Sequence, residues 1–154
     1  MAALDAGQAA GGDARGKQSG GILVVKPIGD SGRTTDRWID VRVDDHPTPF
    51  LEIRRLMNMA VSRNKTRLAN QLASEGRFPD AIAIQREAIA MRPGNDQYIY
   101  GLARLHARAG NAASAIEVLS QAIVMNTRWQ EQARTEQDFD SIRRDRQFRN
   151  LIGL

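Results

Sequence analysis

The sequence predicts a mainly α protein in which two helical hairpins with capping helices follow a small β-hairpin and one helix. Three observations support this fold class. Of the 13 glycines, 8 lie in residues 1–32, so the opening segment is rich in turns. Residues 39–44 alternate strictly between apolar and polar, and a 34-residue repeat fills residues 62–129. We therefore expect two domains, 1–61 and 62–154.

Two short segments predict the β-hairpin. Four aliphatic residues at 22–25 precede Pro27, which is typical of a strand buried on both faces. In the alternating segment, Ile39, Val41 and Val43 share one face, as in a strand with one buried side. Two strands alone are only marginally stable, so this segment needs more sheet than the chain supplies.

A helix is expected to follow the hairpin. Thr48 precedes Pro49, which is the combination of an N-cap residue and a proline in the first helical turn. Apolar residues then recur at helical spacing, which predicts a helix over residues 49–61. A domain boundary is expected at residues 62–65.

The internal repeat is the strongest signal in the sequence. Aligning residues 62–95 with residues 96–129 gives nine identities, which are Leu68/Leu102, Ala69/Ala103, Ala73/Ala107, Gly76/Gly110, Ala81/Ala115, Ile82/Ile116, Ala88/Ala122, Ile89/Ile123 and Met91/Met125. In each copy, Gly76 or Gly110 is expected to end one helix in the left-handed conformation before a second helix begins. The shared alanines predict close approach of paired helices.

The spacing of these residues identifies the kind of repeat. In the first copy, the residues that match are Leu68, Ala69, Leu72, Gly76, Ala81, Ala88 and Pro93, and in the second copy they are Leu102, Ala103, Gly110, Ala115 and Ala122. This pattern resembles the tetratricopeptide repeat, a helix-turn-helix unit of 34 residues. The departures are Lys65, Ile99, Gln85 and Leu119 at aromatic positions and Thr127 at the closing proline. A generic antiparallel helical bundle is the alternative.

Two such repeats leave an apolar flank that requires a cap. Residues 127–135 have a helical pattern, and the tail supplies apolar anchors at Phe139, Ile142, Phe148, Leu151 and Ile152. Residues 138–143 followed by Phe148 resemble the ending seen after bacterial tetratricopeptide arrays. We expect Trp129 to pack against the second repeat.

Stacked helical hairpins form a concave groove along the first helix of each repeat. The predicted lining residues are Thr66, Asn70, Ser74, Gln97, Tyr100, Arg104 and Arg108. Arg104 and Arg108 lie four residues apart on one helix face, where they could receive an acidic peptide or a terminal carboxylate. The alternative is that both arginines are merely solvated.

No catalytic residue, cofactor or metal site is predicted. Residues 11–18 resemble a phosphate-binding loop, but Gln18 replaces its hydroxyl residue and the segment precedes a strand. Asp44, Asp45 and His46 form a compact group of acids and an imidazole. A hydrolase site is not expected because the sequence has no nucleophile elbow, and a metal site is not expected because no second histidine stands at ligand spacing. Instead, Asp45 or Thr48 is expected to cap the following helix, and His46 and Pro47 are expected to turn the chain into it. His106 is expected to be a packing residue.

Composition excludes several further classes. The chain has no cysteine, so disulfides, thiolate metal sites and a cysteine nucleophile are absent, and a cytoplasmic location is expected. The net charge of +4 is spread thinly, and its one arginine cluster, at residues 143–149, is interrupted by Asp145. Nucleic-acid binding is therefore not expected. No apolar run is long enough for a membrane span.

Motifs in the first half resemble a second family. The residues that carry this resemblance are segments 11–13, 15–19, 23–25, 36–47 and 52–56. They are similar to the C-terminal stretch of the domain of unknown function 1028 family, whose members look like N-terminal-nucleophile hydrolases with an α/β/β/α sandwich. The resemblance implies that polar residues near a pocket of the full protein would be Asp13, Arg15, Gln18, Ser19, Asp40, Arg42, Asp45 and His46.

Two functions follow as hypotheses. The first is a protein-interaction module, forming the C-terminal portion of a longer protein, that binds a protein or peptide, including an acidic one. The alternative is an accessory part of an N-terminal-nucleophile hydrolase. Such a part is expected to be inactive alone, because removal of Met1 would expose Ala2, whose side chain is not a nucleophile. Exposed hairpin edges could also pair two copies of the chain in a homo-oligomer. No nucleic-acid or membrane partner is expected.

Overall fold

The structure is a computed structural model that describes residues 18–26 and 36–154. Contacts between residues divide the chain into two compact units, Met1–Ala60 and Val61–Leu154. The described elements are mainly helical, with one two-stranded sheet, which agrees with the predicted fold class.

The first unit contains the predicted β-hairpin. Strand β1, Gln18–Lys26, pairs antiparallel with strand β2, Asp36–His46. Gly20 lies opposite Val43 in this register, and a side chain at Gly20 would begin 3.0 Å from Cδ1 of Ile53. Because glycine leaves that space open, Ile53 approaches the strand closely and is almost fully buried.

Helix α1 is longer than the sequence predicts. It spans Pro49–Ser74 as one element, so the predicted end near residue 61 was wrong. Residues 50–75 contain neither glycine nor proline, and nothing in them terminates a helix. The sequence break that we placed at residues 62–65 is therefore a change of composition and not a break in secondary structure.

The second unit contains the two predicted helical hairpins. After α1 come α2, Phe78–Met91, α3, Asp96–Arg108, and α4, Ala112–Met125. Gly76 has φ +77° and Gly110 has φ +78°, which confirms the predicted left-handed ends of α1 and α3. The same pair of backbone hydrogen bonds closes each helix: Gly76 N–H and Arg77 N–H donate to Ala73 and Leu72 O at 3.2 and 2.9 Å, and the second copy repeats this pattern.

The alanines shared by the two copies lie between packed helices. Those with no exposed surface are Ala69, Ala81, Ala88, Ala103, Ala115 and Ala122. Because side chains this small are completely buried, the neighbouring helices must pack directly against them. The predicted close approach of the hairpin helices is confirmed.

Three short elements follow the second hairpin. They are α5, Arg128–Thr135, a 3-10 segment, Gln137–Ile142, and α6, Arg146–Ile152. Six buried side chains of these elements belong to one apolar cluster with α3 and α4, and they are Trp129, Ala133, Phe139, Ile142, Phe148 and Ile152. Trp129 packs on the second repeat, as predicted, because its ring stacks on that of Tyr100.

Candidate binding pocket in the helical repeats

One pocket of about 610 Å³ lies within the second unit. Its walls come from α1, from α2 and the α2–α3 connection, from α3 and from α5. The lining residues are Arg63, Thr66, Asn70, Gln85, Arg92, Asn95, Gln97, Tyr98, Tyr100, Gly101, Arg104, Arg128, Trp129 and Gln132. These side chains are mostly arginines, amides and hydroxyls, and none is acidic, so the walls offer many hydrogen-bond donors.

The repeat itself places the two main walls. Arg63, Thr66 and Asn70 are three and four residues apart, so they share one face of α1. The residues 34 positions later, Gln97, Tyr100 and Arg104, occupy the same face of α3. Stacking one copy on the other therefore puts equivalent residues side by side along the pocket.

Gln85 forms part of the pocket lining at a position where the repeat usually has an aromatic residue. It is only 1% exposed, and its Nε2 donates to the Tyr98 carbonyl oxygen at 2.8 Å. A side chain at Gly101 would lie 3.3 Å from that Nε2, so glycine leaves room for the amide. This hydrogen bond pairs the buried Nε2, which explains how a polar residue can replace the aromatic one.

An aromatic stack forms the wall between α3 and α5. The Tyr100 and Trp129 rings are nearly parallel, with centroids 4.3 Å apart, and Tyr100 meets Phe139 edge-on at 5.8 Å. On the Trp129 ring lies the Arg128 guanidinium, 4.2 Å from the centroid. Burial, followed by the nearby Glu136 carboxylate, raises the pKa of the Tyr100 hydroxyl, so this group stays protonated.

Two of the four lining arginines are already paired within the chain. Arg104 Nη2 lies 2.7 Å from Asp138 Oδ2, and its Nε lies 3.4 Å from Glu136 Oε2. Arg128 Nη2 lies 3.5 Å from Asp96 Oδ2.

Arg63 and Arg92 make no ion pair with any described residue, so two positive charges of the pocket are left uncompensated within this part of the chain. Their guanidinium groups are therefore the available partners for an anion that enters the pocket.

Asp96 is the first residue of α3, and its carboxylate links this helix to the end of α4 and to α5. It accepts hydrogen bonds from Asn126 Nδ2 at 2.8 Å and from Trp129 Nε1 at 3.0 Å. Burial alone would raise the pKa of Asp96, but these hydrogen bonds outweigh it and the pKa falls below its ordinary value. Asp96 is thus charged at neutral pH and neutralises Arg128.

Five of the seven predicted groove residues line the pocket, and they are Thr66, Asn70, Gln97, Tyr100 and Arg104. Ser74 and Arg108 do not. The Ser74 hydroxyl donates to the Gln71 carbonyl of its own helix at 2.6 Å. Arg108 donates to the Ala73 carbonyl at 3.2 Å and lies 3.8 Å from Asp138.

Sequence reasoning missed the part of the pocket that α5 supplies, Arg128, Trp129 and Gln132. They lie at or just beyond the end of the second copy, and only the docking of α5 brings them to α3. Arg63 could have been found, because it lies one helical turn before Thr66. Arg92 carries no comparable signal.

The polar residues that the first half suggested for a larger pocket are placed as follows. Asp13 and Arg15 lie outside the described residues, as does most of the phosphate-loop-like segment. Gln18, Ser19, Asp40, Arg42 and Asp45 lie on the paired strands, where Gln18 is opposite His46 and Asp40 is opposite Leu23. His46 Nδ1 accepts a hydrogen bond from the Thr48 backbone N–H at 3.1 Å.

Two negative findings concern the described residues alone. Within residues 18–26 and 36–154, no group of three or more histidine, aspartate or glutamate side chains is placed to hold a metal ion. In the same ranges, no helix has the length and apolar character needed to cross a bilayer.

Stacked helical hairpins whose first helices line a shared pocket define the class of helical-repeat proteins. Residues 72–134 match the family model for the tetratricopeptide repeat, and residues 1–53 match the model of a family of unknown function, DUF1028. These two matches confirm both resemblances seen in the sequence, because a segment similar to DUF1028 is followed by a segment similar to tetratricopeptide repeats. Neither the curated proteins nor the solved structures yield a match.

Proposed function

We propose that residues 61–154 form a protein-interaction module that binds an acidic peptide segment in the pocket described above. Tetratricopeptide repeats generally mediate contacts between proteins, and the repeat model matches most of this unit. One observation supports an acidic peptide: Arg63 and Arg92 make no ion pair with a described residue. The lining of the pocket also contains no acidic side chain.

The proposal differs from the sequence-based hypothesis in the residues that receive the acid. That hypothesis used Arg104 and Arg108, but Asp138 contacts both guanidinium groups and Glu136 contacts Arg104. A peptide carboxylate would have to displace these acids to reach them. Arg63 and Arg92 are available without any such exchange.

A selection experiment tests this function. A random dodecamer library is displayed on phage and selected on the full chain, and enriched peptides are measured by fluorescence anisotropy. We expect enrichment of Asp and Glu, and a loss of affinity of about tenfold or more for Arg63→Glu and Arg92→Glu, because each change places a negative charge beside the bound acid. Affinity should fall as salt is raised.

Arg67→Glu is the matched control. Arg67 is an exposed arginine of α1, one turn from Arg63, and it is not part of the pocket lining. Equal losses for Arg63→Glu and Arg67→Glu would show a general charge effect and would contradict the assignment of this pocket. A selection without any enriched peptide would contradict the function itself.

A second candidate function is supported by the match of residues 1–53 to the DUF1028 family. In this proposal the chain is an accessory part of an N-terminal-nucleophile hydrolase, and the helical repeats recruit a partner to it. Amide hydrolysis by the purified chain, measured with chromogenic anilides, would contradict this accessory role. Self-association through strand edges and a cytoplasmic location stay predictions.

A further inference from the structure

Two hydroxyl groups of the pocket lining lack a hydrogen-bond partner. Thr66 Oγ1 on α1 and Tyr100 Oη on α3 are both buried, and neither bonds to any atom of the described residues. Tyr100 is only 2% exposed. Because the two residues are 34 positions apart, they occupy the same place in the two copies of the repeat.

Such groups need a physical explanation. Nearly all buried polar atoms in folded proteins find a partner, since leaving one unpaired lowers stability. Phenylalanine would keep the stack on Trp129 and the edge contact with Phe139 without this cost. The other lining tyrosine shows the usual arrangement, because the Tyr98 hydroxyl lies 3.2 Å from Ser62 Oγ.

The charges around Tyr100 determine which partner suits it. Arg104 is compensated by Asp138 and Glu136, and Asp96 compensates Arg128 on the far side of Trp129. An anion next to Tyr100 would therefore face two nearby carboxylates and no unpaired arginine of α3 or α5. An uncharged acceptor avoids this repulsion, and a protonated phenol is a good donor to it.

We propose that the Tyr100 and Thr66 hydroxyls form a subsite for an uncharged amide oxygen of the bound peptide. This inference rests on the proposed function, in which Arg63 and Arg92 receive an acidic side chain of the same peptide. The oxygen comes from a main-chain carbonyl or from an asparagine or glutamine side chain, and both sources offer the same chemistry. The pocket thus recognises charge and neutral amide at separate places.

The first test requires no peptide. Tyr100→Phe and Thr66→Val each remove one hydroxyl with little change of shape, so the melting temperature of the full chain should stay the same or rise. Thr135→Val, on the exposed side of α5, is the matched control for a threonine outside the pocket. A fall of several degrees for Tyr100→Phe would show that the hydroxyl serves the fold, and it would overturn the inference.

The second test uses the most enriched dodecamer of the selection, acetylated and amidated at its ends. Tyr100→Phe should weaken its binding by between about twofold and tenfold, the range expected for one neutral hydrogen bond. The loss should be the same at low and high salt, and the same after Glu→Gln exchange in the peptide. Thr135→Val should bind as the parent does.

Several outcomes separate this inference from the function on which it rests. If the dodecamer loses affinity for Arg63→Glu but not for Tyr100→Phe, the function stands and the subsite is overturned. A Tyr100→Phe loss that vanishes with the Glu→Gln peptide would assign the hydroxyl to the carboxylate and overturn the uncharged oxygen. No enriched peptide overturns both proposals.

The source of the oxygen follows from one more comparison. Each asparagine or glutamine of the dodecamer is replaced by leucine, and the Tyr100→Phe loss is measured again. A loss that disappears with one leucine identifies that side-chain amide. A loss that persists with every leucine identifies a main-chain carbonyl, and either result supports the subsite.

Discussion

The two copies of the repeat share a pattern but differ in burial. Leu68 and Leu102 are equivalent positions, yet Leu68 is 43% exposed and Leu102 is 7% exposed. In the first copy the apolar cluster is small and consists of Ala69, Leu72, Ala73 and Ala81, together with Leu105 of α3. The second copy joins a larger cluster that includes the aromatic residues of the cap.

This difference shows that a repeat sequence specifies a local hairpin while its neighbours decide how much of it is buried. The second copy packs on α2 at one side and on the cap elements at the other. Contacts between adjacent units supply much of the stability in such arrays. We therefore expect the second copy and the cap to be the more stable part of the unit.

The largest expected effect tests this directly. Phe139→Ala should destabilise the protein by about 3–5 kcal/mol, because Phe139 is fully buried between Tyr100 and Phe148. Leu68→Ala, in the first copy, should cost less than about 1 kcal/mol because its side chain is largely exposed. Urea denaturation followed by circular dichroism measures both. Similar losses for the two variants would contradict the comparison.

A second prediction concerns the feature that the copies share. Gly76→Ala and Gly110→Ala should each cost about 1–2 kcal/mol, because both residues have φ near +78° and an alanine there adopts a strained left-handed conformation. No atom beyond the adjacent residues lies within 4 Å of an added methyl group at either position, so the cost comes from the backbone conformation. Thermal unfolding of the two variants should give matching losses. Unequal losses would show that the turns differ.

The sequence predicts those features of the fold that depend on residues close together in the chain. The glycine turns and the buried alanines depend on residues a few positions apart, so their pattern reveals them. The pairing of Arg104 with Asp138 spans 34 positions and depends on how the cap docks. The role of Trp129 in the pocket has the same origin. The length of α1 was missed for a different reason, since a change in composition does not itself end a helix.

The smallest expected effect concerns another position at which the copies differ. His106 occupies the place of Leu72, is 5% exposed, and has no hydrogen-bond partner among the described residues on either ring nitrogen. Burial, followed by the charge of Arg86, lowers the pKa of His106, and Glu117 opposes this. The folded state therefore resists protonation more than the unfolded chain does.

Stability should consequently fall as the pH drops below about 6.5, the ordinary histidine pKa, and continue to fall down to the lowered pKa of the folded state. His106→Leu should remove this pH dependence. At any pH from 7 to 5.5, it should raise the free energy of unfolding by less than about 1 kcal/mol over that of the parent. Denaturation curves of parent and variant at both pH values measure the difference. His46 is present in both proteins, so its contribution cancels. An unchanged slope in the variant would contradict the prediction.

The Asp96 carboxylate helps to fix the length of the second copy of the repeat. Asp96 is the first residue of the second copy, and it holds Trp129, the last residue, through the indole N–H. Ser62 opens the first copy and reaches Tyr98, which lies just beyond its end. A hydrogen bond thus spans the full length of each copy. One residue inserted between the bonded residues would move the donor and acceptor out of register.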